Sequence, residues 1–229
     1  MQIVRDLQGL LRFYKELGFE TLPLRLDPCS LRLSHDHDLS AHEKQALLEK
    51  LQKDVEQCRL CQLSRTRKNI VFGEGNPDSK LMFIGEAPGR EEDLQGKPFV
   101  GEAGKVLTRL IEKMGLQRNK VYIANILKCR PPLNRDPGID EIKSCRGFLD
   151  QQIAIIQPSV IMTLGRIAVQ TLLENTNLKM TAIRGKLLEY RGITLIPTFH
   201  PAYLMRNPKD KWLTWDDALR VLEKLQQSG

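Results

Sequence analysis

The chain has no apolar run approaching the ~20 residues that a membrane-spanning helix requires. Neither an internal repeat nor a low-complexity segment is present. Its first residues lack a cleavable signal pattern, because Arg5, Asp6, Arg12, Lys15 and Glu16 interrupt the apolar positions. Together these absences lead us to expect a cytoplasmic protein with no membrane partner. Cysteine is sparse and odd in number, five in all, so paired disulfides explain it poorly and metal ligation explains it better. Negative charge is in deficit: 35 Lys and Arg against 28 Asp and Glu leave a formal charge of +7. That balance suits a polyanionic partner and, equally, a generally basic soluble protein. At 229 residues the chain can build one sizeable core without covalent staples.

What is present is organised around KLMFIGEAPGREED, residues 80 to 93. Four apolar residues, Leu81 to Ile84, run into a glycine turn, the pattern of a buried parallel strand delivering its C-terminal end to a site. Gly85 and Gly89 permit close approach and Pro88 fixes one φ, so Glu86 sits on a stiff turn. Upstream, residues 3–17 carry a helical apolar stripe closed by Gly18. Residues 20–38, with the lone Cys29 and the SHDHD run, read as an irregular connection in which His35 and His37 are solvated. Ser40 and Glu43 form a capping-box pattern that opens a helix with Leu47, Leu48, Leu51 and Val55 inward.

Downstream, the chain alternates strand and helix. Strands are expected at 121–127 and 160–164, with two more around Arg191-Gly192 in 186–198. Helices are expected at 104–114, from about 140, after Gly165, and in a last segment opened by Thr214 and Asp217. This is the pattern of a three-layer α/β/α sandwich with a central, mainly parallel four-stranded sheet. Ligands of such sheets bind beyond the strand C-termini, where Glu86, Asn125 and His200 all fall.

Cys58 and Cys61 form a C-x2-C pair, and Cys129 and Cys145 supply two further thiols. Four thiolates suit tetrahedral zinc or an iron–sulfur cluster, and the wide second pair departs from the two tight knuckles of a zinc ribbon. The basic run RTRKN, residues 65–69, reads either as a solvated loop or as a phosphate contact.

GEAPGREED at 85–93, GKPFVGEAG at 96–104, YIANILKCRPP at 122–132 and HPAYLMR at 200–206, together with the cysteine spacing, resemble the family 4 uracil-DNA glycosylases. The resemblance covers about residues 40–226, and a boundary near residue 38 would separate an N-terminal helical extension from a glycosylase domain at 39–229. It implies one 4Fe-4S cluster on Cys58, Cys61, Cys129 and Cys145. It also implies uracil-containing DNA as substrate, a monomer, and an abasic product passed to other repair proteins. The catalytic residues it points to are Glu86 and His200. The uracil pocket would comprise Gly85, Glu86, Ala87, Glu92, Phe99, Asn125 and His200: Phe99 stacking on the base, Asn125 reading its N3–H and O4, His200 facing O2, and Glu92 lying against C5. Leu204 or Met205 would wedge into the DNA, with Arg206 and either Lys209 or Lys211 on phosphate. Ala87 stands where some superfamily relatives carry an Asp or Asn that acts on the attacking water, which leaves open the group that holds that water here. Two other readings compete with this one. A non-catalytic iron–sulfur DNA-binding module would keep the basic surface and the cysteines, and a zinc-stabilised nucleotide-binding protein would use the glycine turn for phosphate.

Overall fold

The computed structural model describes residues 39–227. The helix expected over 3–17, Cys29, and His35 and His37 lie outside the described residues. Helix α1, Ala41–Glu56, is capped as its sequence predicts: the Ser40 hydroxyl accepts from the Glu43 N–H, and the Glu43 carboxylate accepts from the Ser40 N–H. Leu48, Leu51 and Val55 are buried, whereas Leu47 is exposed, one position off the core-facing stripe.

Among the described residues the sheet has six strands rather than four. The strands are β1, Glu74–Gly75; β2, Leu81–Gly85; β3, Tyr122–Asn125; β4, Val160–Leu164; β5, Leu188–Tyr190; and β6, Ile193–Thr198. They lie in the order β1-β3-β2-β4-β6-β5. The inner four are parallel, as expected, and the count rises because β1 and β5 pair antiparallel on the two edges. The two residues of β1 are too short to leave a periodic signal.

Alternation along the inner strands sorts side chains onto two faces. Met82, Ile84, Ala124, Ile161 and Leu195 pack with α1, with α4 (Ile139–Ile156) and with α5 (Arg166–Leu172). Leu81, Phe83, Ile123, Met162 and Ile196 pack instead against α3 (Glu102–Lys113) and α8 (Lys211–Gln227). Both faces of the sheet are therefore covered, which completes the three-layer arrangement. Two short helices, α2 (Arg90–Gln95) and α6 (Met180–Ile183), and α7 (Pro201–Arg206) complete the set named here.

Helix α8 starts at Lys211, ahead of the Thr214 and Asp217 expected to open it. Asp217 is instead fully buried and ties the helix to β6. Its carboxylate accepts from the Thr198 hydroxyl at 2.7 Å and from the Arg184 guanidinium at 2.6 and 3.2 Å. Removing one partner of such a buried pair typically costs about 3–5 kcal/mol, because the other charge is left unpaired. Asp217→Ala is therefore expected to lower the unfolding free energy by about that amount, measured by urea denaturation.

Candidate active site

The inner strands end level with one another, with Gly85 of β2 opposite Asn125 of β3. Beyond them lies a cavity of about 540 Å³, lined among others by Glu86, Ala87, Glu92, Phe99, Asn125, His200 and Arg206. Seven side chains expected at the site from scattered motifs thus share one cavity. Gly85 lies beneath it. A Cβ at Gly85 would come within 2.4 Å of the Asn125 amide oxygen and 2.5 Å of the Phe99 ring, so glycine is what lets both press onto the strand end.

Asn125 is 1% exposed, and its Oδ1 is buried without a hydrogen-bond partner among the described residues. An acceptor left so costs about 1–3 kcal/mol, which points to a ligand donor as its partner. Its backbone carbonyl is held from behind by Lys128, whose Nζ donates to it at 2.9 Å and to Gln152 Oε1 at 2.6 Å. Gln152 in turn donates to the Phe72 carbonyl and the Tyr122 hydroxyl. Lys128 is 1% exposed, and burial lowers its pKa to about 8 against the opposing pull of Cys145 and Cys129. Sequence reading passed over it, because a lysine after an apolar strand ordinarily marks the return to solvent.

Phe99 holds its ring against Gly85 through a left-handed backbone, φ 50°. Two neighbours keep it there. Gly104 leaves room for the Phe99 carbonyl, which a Cβ would meet at 1.9 Å. The Glu92 carboxylate accepts from the Val100 and Gly101 N–H groups at 2.9 Å each, and from Gly89 N–H at 3.1 Å. Glu92 thus ties the glycine turn to the Phe99 loop as well as lining the cavity. The neighbouring Asp93 is buried and accepts from the Lys68 and Asn69 N–H groups.

His200 caps α7. Its Nδ1 accepts from the Ala202 N–H at 3.1 Å, so in the neutral ring the proton is on Nε2. Desolvation lowers its pKa to about 4, helped by Arg206 and opposed by Glu92. Glu86 moves the other way. Burial raises it to about 7, Asp136 adds to the rise, and Arg166 opposes it. The backbone of Glu86 is pinned, its carbonyl accepting from Leu127 N–H at 3.0 Å. Its carboxylate makes no hydrogen bond among the described residues, which leaves it available to a water or a substrate.

Beyond His200, the two wedge candidates separate: Leu204 is 3% exposed and Met205 is 45% exposed. One helical step turns Leu204 into the protein and Met205 outward. Arg206, Lys209 and Lys211 are all exposed. The cavity also takes in Arg90, Pro131 and Tyr203, which lie in the motifs without a role assigned from sequence, and Asn134 and Arg135, which lie outside them.

Cys58, Cys61, Cys129 and Cys145 are free thiols lining a second, narrower pocket. Arg67 donates to Cys129 Sγ at 3.2 Å and to the Glu56 and Cys58 carbonyls, so this member of the basic 65–69 run turns inward. The Lys128 N–H donates to Cys145 Sγ at 3.3 Å. Burial pushes the Cys129 thiol up and the Cys145 thiol to about 11. Among the described residues, no three His, Cys, Asp or Glu side chains converge as they would around a single metal ion.

Comparison with known proteins agrees with this geometry. Residues 72–224 match the family model of the uracil DNA glycosylase superfamily. The type-4 uracil-DNA glycosylase of Saccharolobus solfataricus is 47% identical over 186 residues, 78% of this chain and 86% of that protein. The enzymes of the same name from Sulfurisphaera tokodaii and Thermotoga maritima are each 44% identical, covering 77% and 72% of this chain and 84% and 87% of their own lengths. A type-5 uracil-DNA glycosylase from Thermus thermophilus is more distant, 29% identical over 49% of this chain. With its strand-end cavity, its buried Asn125 and matches of this extent, the chain belongs to the uracil DNA glycosylase superfamily, among its type-4 enzymes.

Proposed function

We propose that this uracil-DNA glycosylase grips an extruded deoxyuridine in the 540 Å³ cavity and hydrolyses its N-glycosidic bond, releasing uracil and leaving an abasic site. The unpaired buried acceptor of Asn125, pressed against Gly85 beside the Phe99 ring, carries this reading. Uracil N3–H is a donor that this acceptor lacks, and the amide nitrogen faces O4. Cytosine reverses both groups and leaves like against like. The Phe99 ring supplies a stacking face, a contact worth about 1–3 kcal/mol.

Bond cleavage puts negative charge on the departing base and positive charge on the sugar. His200 meets the first as a neutral donor. Its Nδ1 is occupied by Ala202 N–H, so Nε2–H is the group directed at uracil O2, and no proton has to move to reach that state at neutral pH. Glu86 meets the second. As a carboxylate it orients the attacking water and lies near the developing oxocarbenium charge. Ala87 offers no side chain for this task. Glu92 serves the pocket through its hold on the Phe99 loop. Met205, rather than buried Leu204, is the apolar tip directed at the DNA stack, and Arg206, Lys209 and Lys211 face phosphate.

The four cysteines are assigned to one 4Fe-4S cluster. Around zinc, with Zn–S bonds of about 2.3 Å, the sulfurs would converge within roughly 4 Å of one another. Four thiols that line one pocket, with the second pair too widely spaced for a zinc ribbon's tight knuckle, suit the larger cluster. Bound there, the cluster supplies a rigid covalent clamp and no redox step to hydrolysis. Arg67 and the Lys128 N–H would donate to its sulfurs. The protein works as a cytoplasmic monomer whose catalytic domain begins near residue 39, and the abasic product passes to other repair enzymes. No helix among the described residues is long and apolar enough to cross a membrane. A non-catalytic module is not favoured, since it has no use for Asn125, Phe99 and His200 around one cavity.

Release of free uracil from single-uracil oligonucleotides tests the reaction. Asn125→Ala is expected to lose roughly a hundredfold in rate through two lost hydrogen bonds. His200→Ala should lose about 10²–10³-fold. Full rates in both folded variants would refute the assignment. The pH profile separates the two titrating groups. The rate should rise with pH through about 7 as Glu86 ionises and show no limb from His200 until about 4; Glu86→Gln should abolish the upper limb. For the cluster, the purified protein should absorb broadly near ~400 nm, where zinc thiolates are colourless. Cys145→Ser should lose that band and unfold at lower temperature; a stable variant with unchanged DNA binding would argue against the clamp.

A further inference from the structure

Loop 131–138, between β3 and α4, presents Leu133 with 94% of its surface exposed. Leu133 and the next residue, Asn134, both adopt left-handed backbone, with φ of 55° and 54°. Asn tolerates that region; leucine does so only against steric resistance. A single exposed leucine is ordinary. One that is both fully exposed and conformationally strained gains nothing for the fold from either property.

The turn is held stiffly. Pro131 and Pro132 fix two φ angles, and the Asn134 and Arg135 N–H groups donate back to their carbonyls. Arg130 Nε donates to the Asn134 side chain, and the Arg135 guanidinium clasps both Glu141 oxygens at 2.9 and 2.6 Å. Pro131, Asn134 and Arg135 line the uracil cavity, so Leu133 projects from its rim. No carboxylate forms an ion pair with Arg130 among the described residues, which leaves a cation beside the tip for phosphate.

We propose that Leu133 is a second apolar tip, entering the duplex on the strand opposite the extruded nucleotide while Met205 occupies the strand that carries it. The inference rests on the glycosylase reading above. Sheet order supports the division of labour. The Leu133 loop follows β3 and the Met205 helix follows β6, with β2 and β4 between them. Three inter-strand spacings set the two ends about 14 Å apart, comparable to the ~12 Å width of a major groove. Pro131, Asn134 and Arg135 from the first segment and Tyr203 and Arg206 from the second line the same cavity, so the two tips stand on separate segments at its rim and can address two strands. Extrusion leaves a gap in the stack and an unpaired partner base, and an apolar side chain inserted there compensates the lost stacking.

The test compares uracil release from a single strand and from a duplex with uracil opposite adenine, using wild type, Leu133→Gly and Leu133→Met. Glycine relaxes the backbone while deleting the tip, and methionine keeps an apolar tip. Leu133→Gly is expected to retain the single-strand rate and lose about tenfold or more on the duplex, with Leu133→Met restoring most of it. An unchanged duplex rate in Leu133→Gly, or equal loss on both substrates, overturns the proposal and leaves the glycosylase reading standing. Absence of uracil release by the wild type from either substrate removes the glycosylase reading and this proposal with it.

Discussion

The site depends on an amide whose oxygen is buried and left unsatisfied. Asn125 Oδ1 has no partner among the described residues, a state that the surrounding structure must stabilise against about 1–3 kcal/mol of lost hydrogen bonding. Every neighbour contributes to that end. Gly85 removes the Cβ that would occupy the same space. The β2–β3 register places Asn125 opposite it, and Lys128 fixes the Asn125 carbonyl from inside the core. Were the amide free to turn outward, water would satisfy it, and its preference for a donor on a bound ligand would be lost.

One physical effect sets the state of both remaining polar groups. Withdrawal from water penalises charge of either sign, so the same cavity raises Glu86 to about 7 and lowers His200 to about 4. His200 is thereby fixed as a neutral donor across the physiological range, while Glu86 is left close to its midpoint at neutral pH. A charged imidazole would bind an anionic leaving group more strongly and would also be drawn to Glu92, the carboxylate that faces it, before substrate arrived. A neutral one gains its interaction as charge develops on the base, which is where binding lowers the barrier.

Most of the inner fold was legible because its signals are local. Ser40 and Glu43 sit three residues apart and cap as their pattern predicts; Val160–Leu164 forms a strand over the expected residues. The readings that shifted depend on partners far along the chain. Asp217 resembles a helix cap until Arg184, 33 residues away, claims it. Leu204 and Met205 are equivalent apolar letters until the helix turns one inward. Gly85 was legible as a turn residue, but not as the floor beneath Asn125 and Phe99, because that contact joins three separate motifs. Lys128 gave no signal at all: composition says that a lysine is exposed, and only the carbonyl of Asn125 and the amide of Gln152 explain one that is not. The edge strand β1 gave no signal for a different reason, being two residues long, whereas β5 falls within the strand pair expected around Arg191-Gly192 and exceeds the four-strand count only by joining the sheet edge.

The segment from Asn125 to Arg135 concentrates these constraints. Within it lie the unsatisfied amide of Asn125, the lysine that holds its carbonyl, a thiol of the second pocket, two prolines and the exposed Leu133. Lys128 joins the two pockets directly: its side chain donates to the Asn125 carbonyl and its N–H to Cys145 Sγ. The Val71 N–H bonds its carbonyl from the other side. A segment held at so many points moves as a unit or hardly at all. A group bound by Cys129 and Cys145 therefore needs no chemistry of its own to affect catalysis, because displacement at the sulfurs reaches Asn125 through one residue. The same stiffness extends forward through Pro131 and Pro132 to the cavity rim. The placements of the Asn125 amide, of the Cys129 thiol and of Leu133 are consequences of fixing one short stretch of backbone.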